Sequence, residues 1–177
     1  TLGDEHPPTL TSINNLGGLF QDRGKLDEAE PLLREALEAR RRTLGDAHPS
    51  TLGSINNLGS LLQAQGKYDE AEPLLREVLE GCRRTLGDEH PYTLVSIGNL
   101  GDLLQAQGKL DEAELLYREG LEASRRTLGD EHPRTLKAKQ RLEALLKKEE
   151  EAKSPPTDLP DEGKDGDTPW ARTRRPK

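Results

Sequence analysis

An all-α fold, built as an elongated stack of helix pairs, is predicted from three observations. The first is a period. Residues 1–42, 43–84 and 85–126 align without a gap, 42 residues apart, and a fourth copy starts at Thr127 and decays after Leu136. Self-similarity at this length marks stacked supersecondary units. The second is spacing, because apolar residues recur at helical intervals in two separate segments of each copy. The third is composition: 31% of the 177 residues are hydrophobic and 3% aromatic. That is thin for a compact globule, but it suffices where each unit buries only the faces it shares with its neighbours, as it does for partial disorder.

Within a copy the first helix carries Leu10, Ile13, Leu16, Gly17 and Phe20 on one face. Gly24, matched by Gly66 and Gly108, follows at the place where a left-handed residue would end a helix. Glycine costs about 1 kcal/mol inside a helix, so Gly17, Gly59 and Gly101 need a reason, and close approach of the paired helix supplies one. The second helix opens on "LDEAE" (26–30) and closes on Arg40, Arg41 and Arg42. Acids at its start and bases at its end complement the helix dipole. Its apolar face is Leu26, Ala29, Leu32, Leu33, Ala36 and Leu37. Glu30–Arg34, Glu38–Arg42 and their counterparts (Glu72–Arg76, Glu80–Arg84, Glu114–Arg118, Glu122–Arg126) are spaced to pair along the helix.

The connections between pairs carry "LGDEHP", at residues 2–7, 86–91 and 128–133, and "LGDAHP" at 44–49. All four histidines sit there, beside Asp and usually Glu. These residue types bind metals and move protons. The period argues against both roles: successive copies are displaced by at least a helix thickness of about 10 Å, whereas metal ligands converge within about 2 Å of one ion. Turn chemistry accounts for them instead. A residue before proline is pushed out of the helical region, and Pro7 or Pro8 suits the first turn of the next helix. No catalytic residue, metal site or cofactor is expected. "LGGLF" (16–20) reads as helix-packing glycine, since no phosphate-cradling "GxxxxGK[ST]" run exists.

With these elements placed, "NNLGGLFQDRGKLDEAEPLLREAL" (14–37) resembles a tetratricopeptide repeat. Leu16, Gly17, Phe20, Ala29, Leu33 and Ala36 stand where that repeat has its small and large packing residues. The ordinary repeat has about 34 residues. The surplus here is the "RRTLGDxHPxT" connection, and this long form, with paired asparagines before Leu-Gly, is similar to the kinesin light chain and nephrocystin-like type. The resemblance covers residues 1 to about 136. It implies an all-α, right-handed superhelical solenoid, with residues 1–42, 43–84 and 85–126 as three repeats. Residues 127–153 would form a partial repeat that caps the stack, and 154–177, rich in Pro, Gly and charge, a disordered tail.

The resemblance also implies that the first helices line a concave surface on which extended peptides lie. The face turned away from the packing stripe carries Thr11, Asn14, Asn15, Gly18, Gln21 and Asp22 in the first copy. The second places Gly53, Asn56, Asn57, Ser60, Gln63 and Ala64 there, and the third Val95, Gly98, Asn99, Asp102, Gln105 and Ala106. Asn14, Asn15, Gln21, Asn56, Asn57, Gln63, Asn99 and Gln105 are therefore the candidate peptide-binding residues. Their amides offer donors and an acceptor to a peptide main chain, and Gly18, Gly53, Ser60 and Gly98 leave it room. The other reading is that Asn15, Asn57 and Asn99 merely bond neighbouring helices or solvent. Binding is favoured, because repeated amides carry a helix-propensity cost that alanine would avoid. A clamp for a C-terminal carboxylate is not expected in the three full copies, where Thr11, Gly53 and Val95 stand in place of the required Lys and Arg. Only the fourth copy is basic, at Lys137, Lys139, Arg141, Lys147 and Lys148.

Charge and cysteine content bound the partners. The net charge is −7, from 33 acids and 26 bases, which argues against nucleic acid or anionic membrane as the main target. No apolar run reaches the roughly 20 residues needed to cross a bilayer. The single cysteine, Cys82, reads as an unremarkable thiol in a reducing, cytoplasmic setting. The expected function is thus non-enzymatic: a protein or peptide partner held on the concave face, with kinesin heavy chain or cargo as partners by resemblance only. The alternative is a sensor region of a larger NTPase. Further repeats before residue 1 are also expected, because the first helix has none to cover it.

Overall fold

The computed structural model describes residues 6–153, and among them it contains seven α-helices. They are α1 (Pro7–Asp22), α2 (Leu26–Leu44), α3 (Pro49–Ala64), α4 (Tyr68–Leu86), α5 (Pro91–Ala106), α6 (Leu110–Leu128) and α7 (Pro133–Lys153). The expected tail at 154–177 lies outside the described residues. Each helix packs on the next in chain order, and α1 also touches α3 as α3 touches α5. The result is an all-α solenoid.

Local chemistry sets each boundary. At the end of α1 the Lys25 amide donates to the Phe20 carbonyl (2.9 Å) and the Gly24 amide to Gln21 (2.9 Å). This is the Schellman pattern, and it needs a left-handed residue, which Gly24 supplies at φ +73°. The pattern recurs at Gly66 and Gly108. The second helices run two residues past their expected ends at the arginines, to Leu44, Leu86 and Leu128, and stop at a positive-φ glycine. Each first helix, α7 included, begins on the proline of its connection, as the sequence indicates. The residue before that proline is extended, and at His48 and His90 it is the N-cap: the Nδ1 atoms accept from the Ser50 and Tyr92 amides at 3.1 and 3.2 Å. His132 does the same for Arg134 at 3.1 Å. These three histidines satisfy amide groups that a helix start leaves open, whereas His6, before α1, makes no such bond.

The core is one continuous leucine-rich seam between the helices. Burying each such side chain removes apolar area worth about 1.5–3 kcal/mol. A Cβ added at Gly17 would sit 2.7 Å from Leu33, and one at Gly59 equally close to Leu75; the missing side chain is what lets the paired helix come in. The seam opens at its ends. Leu16 and Leu19 of α1 are 42% and 45% exposed, where the aligned Leu58 and Leu61 of α3 are 2% and 0%. At the other end Leu142 and Leu145 of α7 are buried while Leu136 is exposed. The aligned Leu52 lies over Gly81 of α4, and no second helix follows α7 among the described residues to do this for Leu136.

Candidate functional site

The two sides of the stack differ in how neighbouring pairs meet. On the second-helix side the links are ion pairs between long side chains. Arg34 reaches Glu70 (2.8 Å), Arg41 reaches Glu77 (2.6 Å), and Lys67 reaches back to Glu30 (2.8 Å). Arg76–Glu112, Arg83–Glu119 and Lys109–Glu72 repeat the same links one unit later. The within-helix pairs Glu30–Arg34, Glu72–Arg76 and Glu114–Arg118 form as expected. Arg126 pairs with Glu89 of the preceding connection and not with Glu122. Hydrogen bonds from Lys67 hold the Glu30 carboxyl at a pKa of about 2, and those from Lys109 do so for Glu72, with Arg and Gln neighbours adding to both effects.

On the first-helix side, the inner side that the resemblance implies, the helices themselves touch across units, and there the candidate residues are distributed unevenly. A cavity of about 420 Å³ opens across α1, α3 and α5, lined by Thr11, Asn14, Gly53, Asn56, Asn57, Tyr92 and Val95, among others. Arg40, Val78 and Cys82 of the second helices close its back. A second cavity, of about 190 Å³, lies between α5, α6 and α7 and holds Asn99, Gly98, Arg134, Lys137 and Arg141. Of the eight candidates, Asn14, Asn56 and Asn57 share the first cavity and Asn99 lines the second, while Asn15, Gln21, Gln63 and Gln105 line neither.

Several of these amides are already engaged. Asn14 is not on the open face; it is buried, and its Oδ1 accepts from the Ser54 hydroxyl at 3.2 Å. Asn99 donates to Asn56 Oδ1 at 2.8 Å, tying α5 to α3. Gln105 lies 3.0 Å from the Tyr117 hydroxyl. Asn14, Asn56 and Asn99 thus each bond a neighbouring helix. Asn57 stays half-buried on the cavity wall with no hydrogen-bond partner among the described residues.

Two charged features of this side were not anticipated. Arg141 of α7 pairs with Asp102 at 2.5 Å, and Asp102 also accepts from the Tyr117 hydroxyl at 2.7 Å. Burial, and then this carboxylate, push the Tyr117 phenol above its ordinary range. Arg40, in the first cavity, has no carboxylate partner among the described residues, and burial lowers its pKa. The only signal in the sequence was that a cation stands at a position where the other copies have Cys82 and Ser124. Burial raises the Cys82 thiol above its usual range, and it accepts only a long contact from Ser96 at 3.7 Å. Among the described residues no three His, Cys, Asp or Glu side chains gather as a metal site would require, and no helix is long and apolar enough to cross a membrane.

Family models described as tetratricopeptide repeat match residues 9–50 and 50–126. A solved structure titled as the nearly identical TPR-like repeats of a putative kinesin light chain from Podosopora anserina is 34% identical to the chain. It aligns over 85% of this chain and 72% of that one, with a TM-score of 0.74. A single-substitution variant of that protein gives 32% identity, coverage of 85% and 71%, and a TM-score of 0.76. The chain belongs to the tetratricopeptide-repeat family, in its kinesin light chain type. BtubC (BKLC) from P. vanneervenii, at 21% identity, 78% and 56% coverage and a TM-score of 0.72, shares the fold. No curated protein matches the chain. This repeat is a scaffold type that serves protein–protein interaction.

Proposed function

We propose that this tetratricopeptide-repeat chain is a non-enzymatic module that holds an extended peptide, or a partner's surface, along its inner side. The observation that carries this reading is the 420 Å³ cavity, because it crosses three successive first helices and has the unpartnered amide of Asn57 on its wall. An amide open to the cavity can exchange water for a ligand's hydrogen bond, a net gain of about 0.5–1.5 kcal/mol. Asn56 and Asn99, which bond each other, fix the wall in place. Tyr92 and Val95, both exposed at the cavity's edge, add apolar area for a side chain of the ligand.

By likeness to the putative kinesin light chain, the finer proposal is an adaptor that joins a motor subunit to cargo, working in the cytoplasm with Cys82 as a free thiol. A peptide array probed with the wild-type chain and with Asn57→Ala tests the groove. Loss of the hits in Asn57→Ala, with an unchanged melting midpoint, is the expected result. Hits that survive this substitution, and equally survive Val95→Arg, would place binding elsewhere.

A further inference from the structure

The inner surface does not end at the first cavity. Val95 lines both cavities, so the surface continues from α5 towards α7. What changes there is a bridge. The Arg141 guanidinium of α7 lies against Gly98, where a Cβ would meet it, and its Nη2 donates to Asp102 of α5 at 2.5 Å. Asp102 also accepts from the hydroxyl of the buried Tyr117 at 2.7 Å, which anchors the bridge in the core. Among the described residues the two earlier junctions have no such bridge. Their aligned couples are Gly18 with Asn57 and Ser60 with Asn99, all neutral, and Asn99 bonds Asn56 instead.

We infer that Arg141 determines how long a ligand the groove accepts: a bound chain crosses α1, α3 and α5 and leaves the inner side before α7. This rests on the groove reading and adds to it the residue at which the groove stops. To continue, a peptide would have to part Arg141 from Asp102, whose side chains are only 22% and 35% exposed. Separating a partly buried ion pair leaves a charge uncompensated, a larger loss than one main-chain hydrogen bond returns. The space agrees. At the bridge the cavity holds about 190 Å³, below the roughly 300–1,000 Å³ of ordinary ligand sites, whereas the first cavity holds about 420 Å³. Packed helices lie about 10 Å apart, so three first helices offer about 20 Å. An extended chain, at about 3.3 Å per residue, covers that with roughly six residues.

The test compares wild type with the double variant Asp102→Ser, Arg141→Asn, which installs the residues found at positions 60 and 99 and removes both charges together. Random-peptide display against the 177-residue chain supplies the probe, and a photo-crosslinker at each end of a selected peptide reports the helices it reaches. In wild type the crosslinks should fall on α1, α3 and α5. Lengthening the peptide by about three residues at its α5 end, with the added residues re-selected on each chain, should change the wild-type Kd by less than about twofold. The double variant should gain at least about fivefold from the added residues and crosslink through α7. Crosslinks to α7 in wild type, an equal gain in both chains, or no gain in the double variant overturn the inference and leave the groove reading intact. Crosslinks confined to the second helices, or a selection without a binder, overturn the groove reading and the inference with it. Should the double variant not fold, the Arg141 Nε–Hε resonance of wild type decides: it keeps its position when the lengthened peptide binds, or the inference is wrong.

Discussion

Arg40 and Arg141 both reach the inner side of this solenoid, and they are held in opposite ways. Arg40, in the first unit, is surrounded by hydroxyls and a carbonyl. Arg141, on α7, meets the Asp102 carboxylate at 2.5 Å, with the Tyr117 hydroxyl on the same acid. The cause is a set of changes at aligned positions. Where the earlier units have Asn14 and Asn56, the third has Gly98. Gly18 and Ser60 become Asp102, Leu33 and Leu75 become Tyr117, and the asparagine line of Asn15, Asn57 and Asn99 ends in Arg141. A Cβ on Gly98 would meet the Arg141 guanidinium, so the glycine opens the path by which α7 reaches Asp102. The backbone repeats, but its inner polar layer does not. The last junction is closed on itself, and the first holds a cation with no anion beside it among the described residues.

The largest expected effect breaks this difference at Gly98. Gly98→Asn restores the side chain of the earlier units and pushes the flexible Arg141 guanidinium off Asp102, so urea denaturation should show a loss of about 1–2 kcal/mol. Arg141→Asn alone leaves Asp102 without its cation and costs about 1 kcal/mol. Combined, the two substitutions rebuild an amide-to-amide contact like that of Asn99 and Asn56. The double variant should therefore be more stable than the sum predicts, by at least about 0.5 kcal/mol. Strict additivity would show that Gly98 and Arg141 do not depend on each other.

Tyr117→Phe is the next step down. It keeps the ring that fills the space over Gly101 and removes only the hydroxyl, which contacts Asp102 and Gln105. A loss of about 1 kcal/mol in the same assay is expected. An unchanged midpoint would mean that Arg141 alone satisfies the acid.

The sequence revealed what repeats and concealed what occurs once. Helix starts at Pro7, Pro49 and Pro91, the left-handed turn at Gly24 and the packing glycine at Gly17 were legible because each is a local rule written three times. The amides of the inner face were legible as a pattern, but their partners were not, since Asn99 and Asn56 are 43 residues apart and meet only through the stack. Arg40 was missed because it belongs to a second helix. Nothing in one helix's periodicity says that a long side chain will cross between two others to the opposite side of the stack. The cross-unit ion pairs at a spacing of 36 residues escaped for the same reason, although the within-helix pairs were plain.

Those outer ion pairs give a smaller, pH-dependent effect that sharpens the comparison. Glu30 and Glu72 have folded pKa values of about 2, against 4.5 for the free side chain. Their folded pKa is depressed, so the stability they supply is complete above about 4.5 and is lost as pH falls from there towards 2. Glu72→Gln should cost about 0.2–1 kcal/mol per severed pair at pH 7 and markedly less at pH 2, where the folded carboxyl is about half protonated. Glu114, the aligned residue of the third unit, pairs with Arg118 of its own helix, and Glu114→Gln should change stability less than Glu72→Gln does. Thermal midpoints of the two variants at pH 7 and pH 2 check this, and equal losses for both would deny the cross-unit link any value.

The smallest expected effect is at Arg40. Three hydrogen bonds suggest a structural strut, and their loss would be felt if the guanidinium were neutral. It is a cation in a site with no anion among the described residues, however, and placing it there costs free energy that those bonds only offset. Arg40→Ser removes both sides of that balance and installs a residue already buried at the aligned position 124. Its urea midpoint should stay close to that of wild type, while Arg141→Ser, which strips a formed ion pair, lowers it. If Arg40→Ser proved as damaging as Arg141→Ser, the buried charge would be a brace between α1, α2 and α3. The two arginines would then differ only in the oxygens they hold.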